Sequence, residues 1–138
     1  METKEFERRQ HFIQLATTHA EDFKTRVTQH DRENTFPFEN VAAMKASGYT
    51  NMTVPEELGG GGVNVLDFAL AQERLAYGDG PMAVAINMHL LVVGIVADLW
   101  RLGDQQLCPF LERIAQERLI VAAGTNDPRM SSAIGLGG

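Results

Sequence analysis

Four histidines (His11, His19, His30 and His89), a single cysteine (Cys108) and four consecutive glycines at 59–62 are the places where this sequence of 138 residues would do chemistry. A dinuclear metal bundle needs Glu-x-x-His pairs on facing helices, and no such pair occurs. Glu7 and His11 are four residues apart, but they sit in the most charged stretch of the chain and read as a solvated pair. No metal site is expected. A lone Cys108 excludes an intrachain disulfide and a thiolate zinc centre, and beside Pro109 it has no cationic neighbour to activate it. Ser131 and Ser132 lack the flanking glycines of a nucleophile elbow.

The glycines lie in VPEELGGGGVNV, residues 54–65. A dinucleotide fingerprint would require its third glycine where Asn64 or Val65 stands, and a P-loop would require lysine where Val63 stands. The preceding Pro55, Glu56 and Glu57 make a poor buried strand. The run therefore reads as a turn that lets two helices approach closely.

His89 lies within PMAVAINMHLLVVGIVADLW, residues 81–100. On a helix it shares a face with Ala85, Val92, Val93 and Val96, while Asn87 and Asp98 meet on another. Two readings stay open. One is a core histidine satisfied by hydrogen bonds; the other is a histidine aimed at a cofactor or substrate, with a pKa suited to proton transfer. Asp98 is expected to pair with a neighbouring helix. The segment is almost long enough to span a bilayer, but Asn87, His89 and Asp98 argue for the buried central helix of a bundle.

The elements that would position these residues are mostly helices. Phe6, Ile13, Ala16, Ala20, Phe23 and Val27 recur at helical intervals over residues 4–29. Pro37 opens a second helix that Gly48 closes. Asn64 caps a third, with Asp67 completing a capping box; Val65, Phe68, Ala69, Leu75 and Ala76 face inward, and Gly78 ends it. Gly103 closes the fourth, Asp104 caps a fifth, and Pro109 kinks or restarts it. LIVAAGT, residues 119–125, has the β-branched character of a strand. The expected fold is thus all-α, a helical bundle over residues 1–118, with a short C-terminal strand opening a second unit over 119–138.

Twelve basic against eighteen acidic residues give a net charge of −6 and no basic block, so no nucleic-acid partner is expected. The charged N-terminus METKEFERRQ lacks the apolar core of a signal peptide, and a cytoplasmic location is the default expectation.

In order, DRENTFPFENVAAMKASGYTNMTVPEELGGGGVNV, AQERLAYGD with Glu73, and RLGDQQLCPFLERIAQERLIVAAGTNDP resemble the N-terminal helical domain of the acyl-CoA dehydrogenase family, covering most of the chain from Asp31 onward. The resemblance implies an FAD flavoprotein that dehydrogenates an acyl-CoA thioester. It places Ala123, Thr125, Asn126 and Ser132 on the flavin. Asn126, Asp127 and Ser131 depart from the family's usual threonine, glutamate and glycine. Flavin monooxygenases of the same family carry a histidine in the central helix, and His89 is similar to it; such a histidine would stabilise negative charge as reduced flavin meets oxygen. The family's catalytic carboxylate lies in a later domain, so the resemblance assigns no catalytic base here. It implies a truncated or split enzyme, inactive alone, that associates with itself or with a complementing chain. The alternative is a non-enzymatic interaction module built on the apolar face left uncovered.

Overall fold

The structure is a computed structural model, and it describes residues 2–122. The chain forms α1 (Glu2–Phe23), α2 (Val27–Glu33), α3 (Phe38–Ser47), α4 (Val65–Ala76), α5 (Gly80–Arg101) and α6 (Cys108–Glu117). The expected all-α bundle is the observed fold. No strand occurs among the described residues. Residues 119–122, the first part of the expected strand, are irregular, and the rest of that segment lies outside the described residues.

The first helix is shorter than its apolar spacing suggests. At Thr25 the hydroxyl donates to the Asp22 carbonyl at 2.7 Å, while the Thr25 and Arg26 amides bond three residues back. A side chain that competes for a helix carbonyl in this way ends the helix, and the chain restarts as α2. The buried face of α1 is Phe12, Ala16, His19, Ala20 and Phe23, whereas Phe6 is exposed.

Glycine works as expected at the end of α3, where Gly48 adopts φ +82 in a left-handed cap. Arg118, from beyond α6, donates through Nη1 to the carbonyls of Lys45 (2.6 Å) and Ala46 (2.9 Å), so the end of α3 is also capped from a distance.

Between α3 and α4 the glycine run folds back on the preceding turn. Gly61 N–H bonds to the Asn51 carbonyl, Gly62 N–H to Val54 and Val63 N–H to Met52, at 2.8–3.0 Å. A Cβ on Gly60 would lie 2.2 Å from the Val54 carbonyl oxygen, and one on Gly61 would lie 2.4 Å from the Phe12 ring. Glycine is required here because backbone and α1 pack where a side chain would stand.

Asn64 caps α4, its side chain accepting from the Asp67 amide at 2.9 Å. The expected capping box is only half formed. The Asp67 carboxylate turns inward, fully buried, and receives Arg8 (Nε at 3.1 Å and Nη2 at 3.0 Å) and Arg9 (Nε at 2.7 Å) of α1. The buried face of α4 is accordingly Asp67, Ala71, Gln72 and Leu75. Val65, Ala69 and Ala76, expected inside, are exposed. An arginine pair outranks a modest apolar preference at this face, since a buried carboxylate must be paired.

Two apolar clusters result. One joins Phe12, Phe23, Met44, Tyr49, Leu75 and Leu90; the other gathers Val54, Val93, Ala97, Leu111 and Ile114, with Leu119 and Val121 packed against it. Each fully buried leucine or isoleucine contributes about 1.5–3 kcal/mol of burial. Buried polar groups are tied in: Tyr49 Oη donates to Gln72 Oε1 at 2.9 Å, and Gln72 Nε2 donates to the Ala83 carbonyl at 3.0 Å. Burial raises the Tyr49 pKa above its ordinary value, so this phenol stays a donor.

Candidate functional site

α5 carries the features that chemistry would use. Asp79 caps it through an acceptor bond from Met82 N–H at 2.9 Å, and Pro81 stands in its first turn. Met82, Ala83, Ile86, His89, Leu90, Val93 and Ala97 are buried against the bundle. The opposite side is not covered by the described residues. Val84, Met88, Leu91, Ile95, Leu99 and Leu102 follow one another at three- and four-residue intervals and are all exposed, from 44% at Leu91 to 85% at Leu102. The expectation of a helix buried all round is therefore corrected. Its apolar character on every face hid which side would meet the bundle. By length and composition α5 could cross a membrane, but 39% of its most apolar window is buried in the protein itself.

Leu91 and Ile95 also line a groove of about 430 Å³ together with Phe68, Arg8, Asp98 and Arg101. Both arginines are already paired with carboxylates. Arg8 holds Asp67, and Arg101 Nη1 holds Asp98 Oδ1 at 2.9 Å. Asp98 thus pairs within its own helix, not with a neighbouring one. Asn87 is drawn the other way, its Oδ1 accepting from Gln72 Nε2 at 3.3 Å. The groove is suited to an apolar group and offers no unpaired cation to a phosphate.

His89 is 1% exposed, and its ring joins two backbone groups. Nε2 lies 2.8 Å from the Thr50 carbonyl, and Nδ1 lies 3.0 Å from the Val121 amide nitrogen. A carbonyl only accepts and an amide N–H only donates, so the proton is on Nε2 and Nδ1 is the acceptor. Burial holds the His89 pKa below its ordinary value. Sequence reasoning left His89 as either a core residue or one aimed at a cofactor, and had no signal for Val121, which reaches it from 32 residues away.

The glycine turn is not a phosphate cradle. The N–H groups of Gly59, Gly60, Gly61, Gly62 and Val63 all bond to carbonyls of the same turn. Partial burial and Glu112 push the Cys108 thiol pKa up, which disfavours the thiolate that a nucleophile needs. No group of three metal-ligating side chains occurs among the described residues. Ala123, Thr125, Asn126 and Ser132, which the resemblance places on flavin, lie outside the described residues.

Among the described residues, six α-helices in this order, with a glycine turn between α3 and α4, form an all-α bundle. The sequence model for "Acyl-CoA dehydrogenase, N-terminal domain" matches residues 7–118, and the chain belongs to the acyl-CoA dehydrogenase family. It is 32% identical over 115 residues to YdbM of Bacillus subtilis (strain 168), provisionally named an acyl-CoA dehydrogenase; the match covers 82% of this chain and 29% of that protein. It is 38% identical over 89 residues to the amino sugar nitrososynthase DnmZ of Streptomyces peucetius, covering 63% of this chain and 22% of DnmZ. The crystal structure of KijD3 in complex with dTDP superposes with a TM-score of 0.70 at 32% identity, over 79% of this chain and 28% of KijD3. The chain thus spans less than a third of the relatives it matches.

Proposed function

We propose that this chain forms the N-terminal wall of an FAD-dependent oxidoreductase acting on an acyl thioester, and that it is inactive without further domains. The exposed row from Val84 to Leu102, along α5 and its C-cap, carries the reading. A contiguous apolar surface of this kind marks a binding or docking face, and the adjoining groove, with its cations already paired, fits an acyl chain. FAD, when bound, supplies the hydride acceptor. The glycine turn has no free N–H to offer the FAD pyrophosphate. The share of the described residues is to hold the acyl chain and exclude water from one side. Similarity to DnmZ and KijD3 favours a second reading, a family member with a different substrate, because those names record an amino sugar nitrososynthase and a dTDP complex.

The test is a visible absorption spectrum of the purified chain after incubation with FAD and dialysis, followed by assay with an acyl-CoA and an artificial electron acceptor. A colourless, inactive chain is expected. A retained flavin band that bleaches on addition of acyl-CoA would show that the chain is competent alone and would overturn the fragment reading. A band that no acyl-CoA bleaches, in a chain that oxidises an amino-sugar nucleotide when a flavin reductant and oxygen are supplied, would favour the second reading. Self-association through α5 would appear in sedimentation as a concentration-dependent dimer.

A further inference from the structure

The way His89 is used bears on what lies beyond the bundle. Its ring ties together three segments that are remote in sequence: the turn after α3 at Thr50, α5 itself, and the connector at Val121. Val121 and Leu119 pack on the second apolar cluster, which places the connector against α5 but does not set its register along the helix. Apolar contact is non-directional, whereas an N–H donated to a buried ring nitrogen has one partner and one alignment. The Thr50 carbonyl accepts from the other side, so the ring cannot rotate without breaking that bond.

We propose that His89 is a positioning residue: in its Nε2–H form it clamps Val121 to Thr50, and so fixes the register in which the chain leaves the bundle toward Ala123, Thr125 and Asn126. The flavin-facing role of those three residues rests on the function proposed above; the clamp does not. Both ring nitrogens are engaged by backbone, and the ring carries no further N–H to direct at a cofactor.

Two substitutions separate the two halves of the clamp. The Oδ1 of asparagine stands where Nδ1 stands, and the Nε2 of glutamine stands where Nε2 stands. His89→Asn therefore keeps the acceptor for Val121, while His89→Gln keeps the donor to Thr50. Amide exchange of Val121 in the full chain, followed by NMR, is the readout. His89→Gln should speed exchange about tenfold, the loss of one hydrogen bond, and His89→Asn should leave it close to the wild-type rate. Equal acceleration in both variants would overturn the clamp and leave His89 as a generic core residue. Should either variant fail to fold, imidazole ¹⁵N shifts of the wild-type chain decide: a bare Nδ1 and a protonated Nε2 support the clamp, and a protonated Nδ1 overturns it. An FAD titration of the wild-type chain reports on the proposed function separately, since none of these measurements needs the cofactor.

Discussion

A large single-residue effect on stability is expected at Asp67. Its carboxylate is fully buried and receives two arginines, Arg8 at 3.0 Å and Arg9 at 2.7 Å, whose side chains keep 17% and 27% exposure. Asp67→Asn preserves shape, and the N-cap bond from the residue 67 amide to Asn64 is unaffected. It removes the charge and sets an amide N–H against a guanidinium donor. Breaking a wholly buried ion pair costs about 3–5 kcal/mol. Here both arginines can swing toward water, which lowers the expected loss to about 2–4 kcal/mol, or roughly 6–14 °C in melting temperature for a domain of this size. Urea unfolding followed by far-UV circular dichroism measures it. A double-mutant cycle with Arg9→Met should return a coupling of about 1–3 kcal/mol that changes little between 0.05 and 0.5 M NaCl, because buried pairs are weakly screened. A loss below about 0.5 kcal/mol, or a coupling that salt abolishes, would mean that the triad behaves as a surface pair, and the account of why α4 turns this face inward would fail.

Three other outcomes follow from the same geometry. Gly78→Ala would drive a Cβ to 2.1 Å from the Ala20 carbonyl oxygen where the turn after α4 crosses α1, costing about 1–3 kcal/mol in urea unfolding; a neutral result would show that the crossing can open freely. Leu91→Glu, on the uncovered side of α5, should change the urea midpoint by less than about 0.5 kcal/mol while reducing the binding of a hydrophobic dye; unchanged dye binding would remove α5 as the docking face. His89 and His19 both have folded pKa values lowered by burial, below the ordinary 6.5 of the unfolded chain. The unfolded state therefore binds more protons as pH falls, so their contribution is complete above about pH 6.5 and declines below it. The Lys45 charge also disfavours the protonated form of His89, whereas Asp22 partly opposes the shift at His19. A urea midpoint at pH 5.5 equal to that at pH 7.5 would contradict this burial.

Much of the fold was legible because its signals are local. Gly48, Asn64, Asp104 and Pro109 act within a few residues of where they stand, and each begins or ends an element as its chemistry requires. The glycine run was legible for the same reason, since the wrong neighbours at Val63 and Asn64 excluded a phosphate loop before its hydrogen bonds were seen. Family membership was legible in the order of these short segments. Distance limited the rest. Asp67 was a plausible capping-box residue until Arg8 and Arg9 met it from 59 and 58 positions away. α5 is apolar on all sides, so periodicity carried no information about which side would be covered; only the tertiary placement of the other described elements left the Val84-to-Leu102 side exposed among the described residues. His89 could be read as buried, but its two partners, 39 and 32 residues away, were decided by packing. Caps and turns are set by the backbone groups next to them, whereas a buried polar side chain takes its role from whichever distant donor or acceptor the tertiary fold delivers.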